Sequence, residues 1–153
     1  MLKGLGLNFS YTSEDDDLFD DFFVPALSNS VEYKRAVGYF SLGVLLNTPS
    51  AMDQIVEKNG KIKILFGQVV SEADFEAIKT GLEYNFPEDT IPNFTEILER
   101  ADNSLLTYRV RLLAYLFSMG QLEIKVAFRK RGLFHQKIGI MIDESSNIVT
   151  FNG

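Results

Sequence analysis

The sequence contains no cysteine and no tryptophan, and it has a single histidine among its 153 residues. Disulfide frameworks, the usual zinc sites, iron–sulfur clusters and c-type haem attachment all need several thiolates or imidazoles in one place. All four kinds of site are therefore excluded, and we expect neither a bound metal nor a cofactor.

Long apolar runs are also missing, since no stretch approaches the 18 consecutive apolar residues of a transmembrane helix. Residues 1–7 lead into a polar and acidic segment before a signal-peptide core can form. We therefore expect a cytoplasmic protein that makes no membrane contact. With 46% hydrophobic and 24% charged residues, the length predicts one globular domain over residues 1–153, whose core needs no covalent or metal staple.

Charge is unevenly distributed along the chain, although the net value of −6 argues at first against a nucleic-acid partner. Residues 1–104 carry 8 basic and 18 acidic side chains, whereas residues 105–153 carry 7 basic and only 3 acidic ones. The last third of the chain is therefore the part that would face phosphate. Its basic residues are Arg109, Arg111, Lys125, Arg129, Lys130, Arg131 and Lys137.

Hydrophobic periodicity predicts an alternation of helices and strands. Helical spacing is found in four segments, at residues 13–27, 41–58, 71–84 and 94–119. The last is either one helix or two helices broken near Asp102-Asn103. Patterns typical of strands lie at residues 35–40, 61–66, 122–128, 134–142 and 148–151. Pro25 and Pro49 are expected to restart or interrupt the first two helices, and Gly120 to end the last. The alternation favours an α/β core with parallel strands, and the hairpins at the C-terminal end make the sheet mixed.

An acidic run, Glu14 to Asp17, opens the first predicted helix. Charge runs of this kind are more often solvated surfaces than ligand sites. Its carboxylates also complement the helix macrodipole, so we favour a solvated helix start over the alternative of a Mg²⁺ site.

The only histidine, His135, lies two residues before Lys137 in an apolar predicted strand. Alternate residues of a strand share a face, so both side chains and Gly139 point to one side, with the two bases about 6–7 Å apart. Both can then converge on one phosphoryl group, with the imidazole as nucleophile and the ammonium as a fixed charge against the non-bridging oxygens. Gly139 beside them is expected to leave room for a substrate.

This segment resembles the histidine, lysine, aspartate (HKD) motif of the phospholipase D-like superfamily. Together with other segments it is similar to the branch that includes the N-terminal phospholipase D-like domain of DEAD/DEAH-type helicases and restriction-type endonucleases. The resemblance implies a three-layer α/β/α sandwich with a mixed β-sheet, forming one half domain of a longer protein. The similar segments are Val37-Gly38-Tyr39-Phe40-Ser41, Tyr108-Arg109-Val110-Arg111-Leu112-Leu113, Leu122-Glu123-Ile124-Lys125-Val126-Ala127 and Phe151-Asn152-Gly153.

The resemblance implies a metal-independent phosphodiesterase or nuclease acting on nucleic acid, with DNA as the expected substrate. His135 would attack phosphorus to give a phosphohistidine, and Lys137 would bind phosphate oxygens. A second histidine, from a homodimer partner or from a second motif in the full-length chain, would protonate the leaving oxygen. The alternative is a non-catalytic nucleic-acid-binding or dimerisation module with the same fold. A lipid-acting enzyme is disfavoured because no amphipathic membrane-binding segment is present.

The resemblance assigns supporting roles to Tyr39, Ser41, Asp143 and Gly153. Tyr39 and Ser41 lie where the first strand ends, near the site. Asp143 lies six residues after Lys137, one more than in the superfamily motif, so a regular strand turns it to the face opposite to that of the motif's aspartate. This favours a role in a turn. The family continues past Gly153 with serine and asparagine, so only Gly153 of that phosphate-binding segment is carried over. We expect this fragment to be incomplete as an enzyme.

Nucleic-acid contacts are predicted at Arg109 and at the basic turn Arg129-Lys130-Arg131. The turn leads directly into the His135 motif, so we interpret it as a patch that binds the nucleic-acid backbone in preference to a solvated turn. Arg109 and Arg111 point to different sides of a helix, and a structural salt bridge is the equal alternative for at least one of them.

Overall fold

A five-stranded mixed sheet organises this chain. The computed structural model describes residues 1–12, 14–40, 45, 47–70, 111, 114–127 and 134–153, without the side chains of Phe40 and of residues 68–70. The helical elements are a 3-10 turn (Leu2–Gly4), a π-helix (Leu18–Phe23), α1 (Val24–Ser28), α2 (Pro49–Glu57) and residues 114–118. The strands are β1 (Glu32–Phe40), β2 (Lys61–Val70), β3 (Leu122–Val126), β4 (Lys137–Ile142) and β5 (Ile148–Asn152).

The strands lie in the order β3-β2-β1-β4-β5. β1 pairs in parallel with β2, and β2 with β3, whereas β4 runs antiparallel to both β1 and β5. The mixed α/β sheet predicted from the sequence is therefore confirmed. Successive strands are added on one side of β1 as far as β3, and β4 then joins its other side. The topological switch point of the sheet therefore lies between β1 and β4.

Period-two alternation gives the sheet one apolar face and one mixed face. The apolar face and the helices α1, α2 and 114–118 share one hydrophobic core. Its buried side chains include Leu27, Tyr33, Met52, Ile55, Ile62, Ile64, Phe66, Leu116, Leu122 and Met141. On the mixed face, Glu32 forms ion pairs with Lys34 (2.9 Å) and Lys63 (2.8 Å). A helical layer on this second face is not among the described residues.

The described helices begin and end close to their predicted signals. Pro25 lies in the first turn of α1, so the helix restarts there as predicted. Leu45 and Asn47 are helical, Thr48 is not, and Pro49 begins α2, so the helix is interrupted at Pro49 as predicted. Asn59 (φ 53°) and Gly120 (φ 60°) follow two helix ends in the left-handed conformation that asparagine and glycine tolerate best.

Several predicted elements differ in extent from the observed ones. β1 begins at Glu32, three residues before its predicted start, and β2 continues to Val70. The predicted helix over 71–84 and most of the one over 94–119 lie outside the described residues. Every helix within the described ranges is too short or too polar to cross a bilayer.

Candidate active site

His135 lies at the edge of the sheet where β1 and β2 end and β4 begins. Lys137, the first residue of β4, pairs with Val37, and the amide of Gly38 donates a hydrogen bond to the carbonyl of Gln136 (2.8 Å). The histidine is therefore placed at the carboxyl ends of two parallel strands, where the strand order reverses. Open α/β sheets bind their ligands in this location.

Two glycines make room for the backbone that carries His135. A Cβ atom at Gly38 would lie 2.9 Å from the carbonyl oxygen of Phe134 and 3.0 Å from Nδ1 of His135. A Cβ atom at Gly67 would lie 2.6 Å from the carbonyl oxygen of Gly38 and 2.9 Å from that of Phe134. Distances below 3.0 Å are too short for real Cβ atoms, and each glycine has at least one such distance to backbone. This backbone therefore fits across β1 and β2 because both residues are glycine.

The ladder between β1 and β2 is irregular at the same place. Val37 pairs with Phe66, but Tyr39 pairs with Val69, so β2 has one extra residue between the two pairs. A bulge of this kind bends a strand and redirects its side chains, and bulges are frequent next to active sites. Tyr39, which was predicted to support the site, follows the bulge and is 52% exposed.

β4 begins at Lys137 and not at Phe134 as predicted. His135 therefore precedes the strand, and the prediction of one regular strand through both site residues is wrong. Lys137 shares a face of β4 with Gly139, whereas the His135 ring lies against Gly38. The backbone before Lys137 instead passes against Gly38 and Gly67, where the missing Cβ atoms leave it room. Both side chains are exposed, so a ligand can reach them.

Gly139 makes room for a protein side chain. A Cβ atom at this position would overlap the ring of Phe151, which lies across the glycine from the neighbouring strand. The rings of Phe22 and Phe23 pack edge-on against Phe151, with centroids 5.1 and 5.4 Å away. The prediction that Gly139 leaves room for a substrate is therefore wrong, because the aromatic core fills that space.

Asp143 holds the turn between β4 and β5, at the end of β4 opposite to Lys137. Its buried carboxylate accepts hydrogen bonds from the amides of Leu2 (2.8 Å), Ser145 (2.9 Å) and Asn147 (2.9 Å), and from the Asn147 side chain. Burial acts to raise the pKa of Asp143, but the hydrogen bonds from Asn147, Leu2 and Ser145 outweigh it and hold the pKa below its usual value. Asp143 is thus a structural residue that joins the turn to the N-terminal segment.

We expect Asp143→Asn to destabilise the protein at neutral pH and to reduce its sensitivity to acid. The folded pKa lies below the unfolded value, so the carboxylate stabilises the fold above the usual aspartate pKa, and this stabilisation is lost as pH falls through the lower folded pKa. The difference between variant and wild type should therefore shrink below about pH 4. Urea midpoints at neutral and acid pH measure it, with the exposed neighbour Glu144→Gln as control. A difference that is independent of pH would contradict this role.

Gly153 adjoins Lys137 through the backbone. Its amide donates a hydrogen bond to the Lys137 carbonyl (2.8 Å), and its carbonyl accepts one from Nη2 of Arg35 (2.6 Å). The structure therefore brings the end of β5 to the beginning of β4. The remaining predicted site residues lie outside the described ranges: Ser41, Arg109, Arg129, Lys130 and Arg131.

Arg35 is a residue near the site that the sequence analysis missed. Its guanidinium carbon lies 4.8 Å from the centre of the Phe151 ring, so the cation interacts with the aromatic face. A signal was present in the sequence, because alternation in β1 places Arg35 between Tyr33 and Val37 on the apolar face. A charged residue at such a position needs a partner.

The acidic run before the π-helix forms a cap. Asp17 accepts hydrogen bonds from two amides of the first helical turn, at 2.9 and 3.2 Å, and Asp16 accepts one from the amide of Thr12 (2.6 Å). The helix begins at Leu18, later than the acidic run predicted. Among the residues that the structure describes, no three metal-ligating side chains form a group able to hold an ion.

Comparison with known proteins yields no match: no family model, no curated protein and no solved structure is similar to this chain. Its function is therefore inferred from the residues and contacts described above.

Proposed function

We propose that this chain is a metal-independent phosphodiesterase that cleaves nucleic acid, with DNA as its substrate, through His135 and Lys137. The observation that carries the proposal is the pair of glycines, Gly38 and Gly67, that admit the His135 segment at the carboxyl ends of β1 and β2. An exposed imidazole with an exposed ammonium two residues later supplies the two groups that phosphoryl transfer to histidine needs. The proposal includes a three-layer phospholipase D-like sandwich, of which the mixed sheet and one helical layer are described.

In the proposed reaction, His135 attacks phosphorus and displaces the leaving oxygen, so that a P–N bond forms as the P–O bond breaks. Nδ1 lies against Gly38, which leaves Nε2 as the attacking nitrogen. The Lys137 ammonium balances the negative charge that develops on the non-bridging oxygens. Water then attacks the phosphohistidine, which regenerates His135 and releases the second product.

The leaving oxygen also needs a proton, and one histidine cannot act as nucleophile and general acid in the same step. We propose that the acid is a second histidine, from another copy of this chain or from a second motif in a longer chain. Two copies related by a two-fold axis would bring both motifs to one interface. The basic turn Arg129-Lys130-Arg131 would bind the nucleic-acid backbone beside them.

The proposal predicts phosphodiester hydrolysis that continues in the presence of EDTA, since the nucleophile is a side chain and the charge on phosphate is balanced by an ammonium. The assay follows cleavage of a fluorescent oligonucleotide with EDTA, and again after Mg²⁺ is restored. Equal rates support the proposed mechanism. An activity that disappears in EDTA and returns with Mg²⁺ would overturn it, and binding without cleavage under either condition would favour the non-catalytic module.

A further inference from the structure

A cleft of about 710 Å³ lies between the N-terminal residues 7–11, the π-helix and β5. Arg35 and Phe151 line it on the sheet side, and Gly153 lies at one end of the lining strand. β5 is an edge strand of the sheet that the structure describes. Neither His135 nor Lys137 lines this cleft, so the cleft is separate from the proposed phosphate site.

The guanidinium of Arg35 is incompletely hydrogen-bonded. Nη2 donates to the Gly153 carbonyl (2.6 Å), whereas Nη1 is buried and has no hydrogen-bond partner. A buried donor without an acceptor destabilises the fold, and more so when it is charged. Because Arg35 lines the cleft, a ligand there that reaches its guanidinium with a carbonyl or ring-nitrogen acceptor would relieve that destabilisation.

Aromatic rings form much of the remaining lining. Tyr11 and Phe22 lie 5.3 Å apart between centroids, and Phe22 in turn packs against Phe23 and Phe151. Phe9, in the N-terminal part of the lining, is fully exposed and covers no other part of the protein. An exposed phenylalanine beside an aromatic cleft is suited to stack against a planar ring, because every nucleobase has a π-face.

One end of the cleft adjoins the proposed phosphate site. Gly153 hydrogen-bonds to the Lys137 backbone through its amide and to Arg35 through its carbonyl, so one residue links the lysine's strand to the cation that lines the cleft. At the other end, Leu18 borders both this cleft and the acidic run Glu14 to Asp17. Those carboxylates repel a phosphate chain, so the cleft is suited to a base and not to a length of backbone.

We propose that this cleft binds one unstacked nucleobase of a single-stranded substrate whose backbone phosphate lies at Lys137. Phe9 stacks on the base, and Arg35 donates to its acceptor edge. This inference rests on the proposed function, and it narrows the substrate from nucleic acid in general to strands with unpaired bases. Paired bases in a duplex are held in the helical stack and do not enter.

The test compares the wild type with Phe9→Ala by fluorescence anisotropy, with a single-stranded 12-mer and the same strand made abasic at every position. Loss of one stacking partner should weaken binding of the base-bearing strand about 5- to 150-fold. The abasic strand and the matching duplex should bind both proteins equally. Because the Phe9 ring is fully exposed, its removal should leave the melting temperature unchanged.

Ile148→Ala is the matched control, since Ile148 is an apolar residue of β5 that is 61% exposed and does not line the cleft. It should bind all three probes as the wild type does. The inference is overturned if Phe9→Ala binds the base-bearing strand normally, or if it weakens the abasic strand equally. Cleavage of the abasic strand that requires His135 would leave the proposed function standing in either case, so the two failures can be distinguished.

Discussion

Replacing His135 by alanine is expected to reduce phosphodiester turnover about 10⁴-fold or more, since the variant has no group that can form the phosphoenzyme. The fold should be unaffected, because the side chain is exposed and precedes β4. Binding of nucleic acid should change little. Initial rates of oligonucleotide cleavage measure the loss. Labelled phosphate should be trapped on the protein, as an acid-labile adduct, in the wild type alone.

Gln136→Ala is the control for this experiment, because Gln136 is the exposed neighbour and contributes its backbone carbonyl, not its side chain, to the contact with Gly38. It should keep wild-type turnover. Full activity in His135→Ala would remove the chemical part of the proposal, whereas equal losses in both variants would indicate that the segment acts only through its conformation.

The second large effect is expected for Gly139→Ala, which should lower the free energy of unfolding by about 1–3 kcal/mol. The new methyl group overlaps the Phe151 ring, and that ring cannot move freely because Phe22, Phe23 and Arg35 all contact it. For a chain of this length the change corresponds to a decrease in melting temperature of about 2–12 °C. Thermal and urea unfolding of the purified variant measure it.

A double-mutant cycle identifies the cause of that loss. Phe151→Leu shortens the side chain that meets the new methyl group, so Gly139→Ala should cost less in the Phe151→Leu background, with a coupling of about 0.5–3 kcal/mol. Gly4→Ala is the control, because no atom lies within 4 Å of a Cβ at that position. Additive effects of the two substitutions would show that the overlap with Phe151 is not what destabilises the variant.

Short-range patterns account for the elements that could be predicted. Alternating or apolar runs predicted β1, β2, β3 and β5, because in each strand one face joins the core while the other is polar or exposed. The helix ends near Asn59 and Gly120 were also predictable, since these residues adopt the left-handed conformation that terminates a helix. Each of these signals acts over only a few residues.

The details of the site depend on contacts that are remote in the sequence, so they could not be predicted. The apolar pattern extends through His135, but pairing with the remote strand β1 determines where β4 begins. The role of Gly139 depends on Phe151 in the next strand and on the rings of Phe22 and Phe23, which are remote in the sequence. Asp143 likewise bonds to Leu2, which no local pattern relates to it.

The strand order has a consequence for how the chain folds during synthesis. Val37 of β1 pairs with Phe66 of β2 on one side and with Lys137 of β4 on the other, so its two neighbours emerge about 30 and 100 residues after it. The parallel half of the sheet can assemble early, but one edge of β1 then remains unpaired until β4 is synthesised. Contacts over such sequence separations form slowly. An unpaired strand edge is a template for aggregation. Products of incomplete translation that end before β4 should therefore depend on chaperones, because the strand that begins at Lys137 is the one that covers this edge of β1.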